Sequence, residues 1–260
     1  MRRSVIFSVC GFALSVMMPA MAQVQVHINE IRTEEFGSSG TFDTDYFELA
    51  GTPNTSLAGM TYLVLGGGSA DGQIQSVTDL SSFSLQSDGL FVAAKTGFLL
   101  GSPDAEVNFS FSTFNRTHLL VSGFTGHFGD DLDTNDDGTL DTMPWTTIHD
   151  AVSLVNQTDP NAYGYNLYYA GSVGYVDVGP DLNDSAGPLH IYRDPDFGGS
   201  WVIGPAAPAG LQAHDTPGSP NNTEILYPPG PVPIPLPAAA WMGLGMVGLL
   251  GTCRKRLMRK

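Results

Sequence analysis

Residues 131–142, DLDTNDDGTLDT, concentrate oxygen donors at a spacing that suits a hard divalent cation. Counted from Asp133, the side chains of Asp133, Asn135 and Asp137 stand at positions 1, 3 and 5 of a calcium loop. Gly138 follows at position 6, where such a loop turns sharply. Thr139 offers its carbonyl at position 7, and Asp141 stands at position 9, to bind directly or through water. The spacing therefore predicts Ca2+ at Asp133, Asn135, Asp137, Thr139 and Asp141. Position 12 is Pro144 rather than a glutamate, so a closing carboxylate has to come from elsewhere, with Asp131 and Asp150 as candidates. The competing reading is an acidic Asx/Gly turn in solvent with no ion. Charge weighs against it, because seven acids lie from Asp130 to Asp150 and repel one another unless a cation neutralises them. The other acidic turns, at Asp43 and Asp45, at residues 177–184 and at residues 193–196, read as solvated turns.

Catalytic patterns are missing from the chain. There is no G-x-S-x-G elbow, no H-E-x-x-H and no phosphate loop, and LGGGSADG reads as a hairpin turn. The six histidines are scattered, and the neighbours His149 and Asp150 would point to opposite faces of a strand. Glu30 and Glu48 could form a carboxylate pair, although such residues more often face solvent or bond loop backbone. Tyr163, Tyr165, Tyr168, Tyr169 and Tyr175 could stack on sugar rings, or they could simply pair across strands. Trp145 and Trp201 read as core anchors. No residue is assigned to catalysis and the chain is read as a non-enzyme. The alternatives are a metal-dependent hydrolase assembled from distant loops, or a polysaccharide-binding module using the tyrosine-rich stretch.

The elements that must position these residues are strands. Short β-branched, aromatic and aliphatic runs recur between Gly, Asp, Asn, Ser and Pro: VQVHINEIR, DYFELAG, TYLVLGG, IQSVTDL, LFVAAK, VNFSFSTF, HLLVSGF, DAVSLV, YNLYYAG, LHIYRD and SWVIG. Alternation places Val24, Val26, Ile28 and Glu30 on one face of the first strand and Gln25, His27 and Asn29 on the other. No strong helical period occurs away from the two ends, so the expectation is an all-β sandwich.

The order of several pieces adds to this. VHINEIRTEE, then DTDYFELAGTPNTSLAGMTYLVLGG, then LSSFSLQSDGLFVAA, DAVSLV and a closing DTPGSPN at residues 215–221 resemble a bacterial lamin-tail domain. The resemblance spans residues 24–222 with long insertions. It implies an immunoglobulin-like β-sandwich with long loops, acting as an interaction or tethering module.

Both ends read as address labels. MRR, an apolar stretch and AMA before Gln23 make a secretory signal peptide over residues 1–22. The predicted sandwich domain then runs over 23–227, and residues 228–237, PPGPVPIPLP, form an extended linker. From Leu236 to Cys253 no charge interrupts the chain, enough for about 27 Å of helix, and Arg254, Lys255, Arg256, Arg259 and Lys260 follow. Physics alone favours a plain membrane anchor over 238–260. The order of signature, helix and basic end resembles the PEP-CTERM type of sorting tail, with Ile234, Pro235, Leu236, Pro237 and Ala238 matching its VPLPA variant except for the first residue. That resemblance implies an exosortase-type membrane protease as a partner. It also implies passage through the inner membrane of a Gram-negative bacterium, transient anchoring, and release to the cell surface or an exopolysaccharide matrix, with exopolysaccharide or surface proteins as further partners.

All 26 acidic residues lie between the two labels, against four basic ones, Arg32, Lys95, Arg116 and Arg193, a formal charge of −22. Such a surface repels nucleic acid and suits divalent cations. Both cysteines, Cys10 and Cys253, fall in the terminal segments, so core burial, with or without bound metal, and not disulfides, must hold the middle together.

Overall fold

The computed structural model describes residues 26–33, 44–66, 71–109, 115–156, 167–180, 188–204 and 215–221. All of them belong to one compact unit, Val24–Leu226. The predicted signal peptide, the proline-rich linker, the sorting signature Ile234–Ala238 and the apolar tail lie outside the described residues. Among the described residues no helix is long and apolar enough to cross a membrane.

The strands are β1 Val26–Arg32, β2 Tyr46–Gly51, β3 Met60–Leu65, β4 Ile74–Asp79, β5 Leu90–Ala94, β6 Ala105–Glu106, β7 Arg116–Ser122, β8 Thr147–Leu154, β9 Val176–Val178, β10 His190–Asp194 and β11 Ser200–Ile203. One sheet has the order β11-β10-β1-β2-β5-β6 and the other β4-β3-β7-β8-β9. Pairing is antiparallel except at two margins, where β6 joins β5 and β9 joins β8 in parallel. The sheets meet face to face through Ile28, Ile31, Phe47, Leu49, Phe91 and Ile191 on one side and Tyr62, Val64, Leu120 and Val152 on the other. Phe47 and Tyr62 stack across this interface with ring centroids 3.7 Å apart.

Strands β2, β3 and β5 are buried at every position, which explains their near-continuous apolar runs. Both outer faces are therefore covered. On the outer face of the second sheet, Leu63, Leu65, Leu119 and Val121 pack under Leu132, Leu140, Tyr169 and Ala170 from loops. On the outer face of the first sheet, Tyr46, Val92 and Ala94 pack with Leu100.

Several sequence expectations need correction. Strict alternation along β1 fails because Ile28 pairs with Leu49 while Glu30 pairs with Glu48, leaving Asn29 as the extra residue of a bulge. Val26, Ile28 and Ile31 thus share the core, and Glu30 turns to the outer face. YNLYYAG is not a strand where described: Tyr169 and Ala170 lead into a 3-10 turn, Gly171–Val173, and the strand comes later, at β9. VNFSFSTF contributes no described strand residue, since β6 ends at Glu106. Two acidic turns read as solvated each have a buried carboxylate: Asp45 pairs with Lys95 at 2.9 Å, and Asp196 accepts from Asn29 at 2.7 Å, while Asp194 is exposed.

Candidate functional site

The predicted calcium loop is built onto the second sheet by its two leucines. Leu132 and Leu140 enter the apolar layer over β3 and β7, so the loop between them is held against the sheet, with Asp136 and Asp137 exposed and Asp133 buried. The neck is closed by backbone: Asp141 N and Thr142 N both donate to Leu132 O, at 2.7 and 3.2 Å. The hairpin leading into β4 holds the other side, with Leu132 N donating to Gly72 O at 3.1 Å and Ile74 N to Asp130 O at 2.9 Å.

Inside the loop the side-chain oxygens bond to backbone amides, and only Asp133 is buried, while Asn135 and Asp137 stay exposed. Asp133 is fully buried and accepts from Asp137 N at 3.2 Å, Gly138 N at 2.9 Å and the Tyr169 hydroxyl at 3.1 Å. Asn135 Oδ1 accepts from Asp137 N at 3.2 Å, and Asp137 Oδ1 from Thr139 N at 2.9 Å. Asp136 and Gly138 take left-handed φ values of 54° and 85°, which is how the chain reverses within so few residues. Asp133, Asn135 and Asp137 are thus brought together. Asp141 is turned toward Thr134, accepting from its amide at 2.9 Å and its hydroxyl at 2.7 Å. Thr139 is held in the loop by the hydrogen bond its backbone N–H donates to Asp137 Oδ1. A donor set of carboxylate, amide and carbonyl oxygens fits a hard cation such as calcium.

Of the two candidate closing residues, Asp150 is excluded by position. It lies on β8 and accepts from Ile28 N at 2.9 Å and from Arg193 Nη2 at 2.8 and 3.0 Å, facing the other sheet. Asp131 stays at the loop, accepting from Asp133 N at 3.1 Å. Sequence reasoning missed two neighbours. Tyr169 caps Asp133, and its hydroxyl is pushed well above its ordinary pKa by burial and then by Asp133, with Asp71 and Asp136 adding to it. Asp71 is itself buried beside this group and accepts from Leu167 N at 3.3 Å. The available signal was Gly72, whose φ is +73° and whose added Cβ would stand 2.9 Å from Asp133 Cβ. Only glycine lets the hairpin approach the loop this closely.

A second polar cluster lies on the outer face of the first sheet. Glu30, His190 and Asp215 have metal-capable atoms within 4.8 Å of one another, all buried. These groups are bonded to one another and to their neighbours. The His190 ring is bracketed, with Nε2 at 2.7 Å from Glu30 Oε1 and Nδ1 at 3.3 Å from Asp215 Oδ1. Arg32 pairs with Asp215, and Tyr46 donates to Glu30. The cluster reads as an ion-pair and hydrogen-bond network.

The predicted carboxylate pair falls within it. Glu30 and Glu48 stand opposite each other across β1 and β2, both fully buried. Burial, then the charge of Glu30, pushes Glu48 well above the usual carboxylate range. The residues of 215–221 cover the pair: Thr216 N and Oγ1 donate to Glu30 at 3.2 Å, and Gly218 N donates to Glu48 at 2.7 Å.

The remaining candidates are integrated into the sandwich. Tyr169 is core, and Tyr175 is half-buried with its hydroxyl donating to Ile148 O at 3.2 Å. Tyr163 and Tyr165 lie outside the described residues. Trp145 and Trp201 pack against the apolar clusters, and the Arg193 guanidinium lies 4.3 Å from the Trp201 ring centre. His118 is buried, 2.8 Å from the Tyr62 hydroxyl, and burial with Arg116 second holds it well below 6.5. No family model, curated protein or solved structure matches this chain.

Proposed function

We propose that this chain is an exported, non-enzymatic β-sandwich module of the immunoglobulin-like, lamin-tail kind, stabilised by calcium and acting in a structural, adhesive or binding role. Its sorting tail is the substrate of an exosortase-type protease, which delivers the domain to the cell surface or matrix. The observation that supports the calcium reading is Asp133: a buried carboxylate under Tyr169, with the exposed side chains of Asn135 and Asp137 folded beside it in the same loop. A cation there offsets the repulsion among acids that the fold has crowded together. The double address label carries the location.

The test is a melting curve in chelator and in millimolar calcium, beside Asp133→Ala and Asp137→Ala. An ion that binds only the folded form adds about 2.7 kcal/mol at a hundredfold excess over Kd. Extracellular modules bind calcium at about 10⁻⁴–10⁻³ M, so the gain at millimolar calcium is smaller than that but measurable. Wild type melts higher with calcium and both variants lose most of the difference. Equal melting in both buffers, with no binding heat by calorimetry, leaves only an acidic turn.

A further inference from the structure

The segment 215–221 lies over the outer face of the first sheet and is held there by polar bonds. Asp215 pairs with Arg32, Thr216 donates to Glu30, Gly218 N donates to Glu48 at 2.7 Å, and Asn221 N donates to Asp196 at 3.1 Å. None of its residues belongs to the three apolar clusters that hold the sandwich. Its amides close the donor shell of two carboxylates, Glu30 and Glu48, that stand opposite each other with no exposure to solvent. Closing the segment therefore forms several bonds and at the same time buries two like charges side by side.

We propose that residues 215–221 form a latch that opens as a unit ahead of the sandwich, and that acidity tightens it. The first half follows from the attachment: a segment with polar anchors and no share of the apolar core separates at lower free energy than the strands beneath it. The second half follows from the carboxylate pair. Around Glu48 stand Glu30 and Asn29 from β1, Tyr46 from β2, Asp196 from the turn after β10, and Gly218 from the latch. His190 from β10 and Asp215 from the latch adjoin Glu30. The closed latch acts on Glu48 in two opposed ways: it withholds water, which raises the proton affinity and is the larger effect, and it donates the Gly218 amide, which lowers it by less. The closed state thus binds a proton more tightly than the open state. Closure strengthens as pH falls toward the ordinary carboxylate range and weakens as pH rises through the raised value.

Amide hydrogen exchange on the full chain at fixed calcium, from pH 5.5 to 7.5 and corrected for intrinsic rates, tests both halves. The amides of Thr216, Gly218 and Asn221 should exchange at least tenfold faster than those of β7. Their opening constant should rise with pH, by at most about tenfold per unit for one proton. Glu48→Gln keeps an acceptor for Gly218 N and removes the charge, so its latch protection should be flat across the range. Thr216→Val should lower protection by the same factor at every pH. Latch amides that exchange only together with β7 overturn the first half. A pH slope that survives in Glu48→Gln, or no slope in wild type, overturns the second.

Discussion

Asp150→Ala tests how the two sheets are tied together. Asp150, on β8 of one sheet, accepts from Ile28 N of the other sheet at 2.9 Å and from Arg193 Nη2 at 2.8 and 3.0 Å. Arg193 in turn donates from Nε to Ile28 O at 2.8 Å and from Nη1 to Gly199 O at 2.7 Å, and it stacks on Trp201. Side-chain exposures of 12% for Arg193 and 3% for Asp150 make this a buried pair. Removing one partner of a buried pair leaves the other charge uncompensated, at a cost of about 3–5 kcal/mol. In a domain of this size each kcal/mol moves Tm by about 2–4 °C, so Asp150→Ala should melt about 6–20 °C below wild type. Asp150→Asn keeps an acceptor for Ile28 N and should fall between the two. Asp150→Leu combined with Arg193→Met removes both charges and should cost clearly less than the sum of the two single changes, with a coupling of at least about 1 kcal/mol. The assay is thermal and urea unfolding followed by circular dichroism at fixed calcium. A Tm within about 2 °C of wild type for Asp150→Ala, or an additive cycle, refutes the clamp.

Gly72→Ala places a Cβ 2.9 Å from Asp133 Cβ on a residue with φ +73°; it should lose about 1–3 kcal/mol in urea unfolding and shrink the calcium-dependent rise in Tm. His118 is held well below 6.5 by burial, so the folded chain binds fewer protons than the unfolded chain beneath that pH. Its contribution is intact above about 6.5 and falls as pH drops, by at most about 1.4 kcal/mol per unit, and His118→Gln should remove that slope between pH 6.5 and 5 in urea unfolding. In a host with an exosortase, mass spectrometry of the released protein should find Gln23 at the N-terminus and no residue of 254–260; a released form that keeps those residues leaves only the plain anchor.

The strands were readable because apolar runs and turn residues alternate plainly, as in MTYLVL and LFVAA. The bulge at Asn29 was not, since two residues facing one partner is a property of the pairing and leaves no mark on the spacing within β1. YNLYYAG misled because Tyr169 serves the outer layer: it packs on the sheet and caps a carboxylate instead of joining a ladder. The loop residues Asp133, Asn135 and Asp137 were legible as local spacing, whereas Asp71 and Tyr169 reach the same place from 62 and 36 positions away, and no local pattern encodes that. Glu30 and Glu48 were legible as a possible pair, but their burial depends on a segment at the far end of the domain.

The margins of the sheets bear on crowding. Among the described residues, three of the four outer strands are short, with two residues in β6, three in β9 and four in β11. The fourth, β4, alternates buried and exposed positions and ends on Asp79. A neighbouring molecule seeking to extend either sheet would find at most a few free backbone groups in a row, on a strongly anionic body. Among the described residues, then, the sheets offer a second copy little edge on which to template a shared sheet.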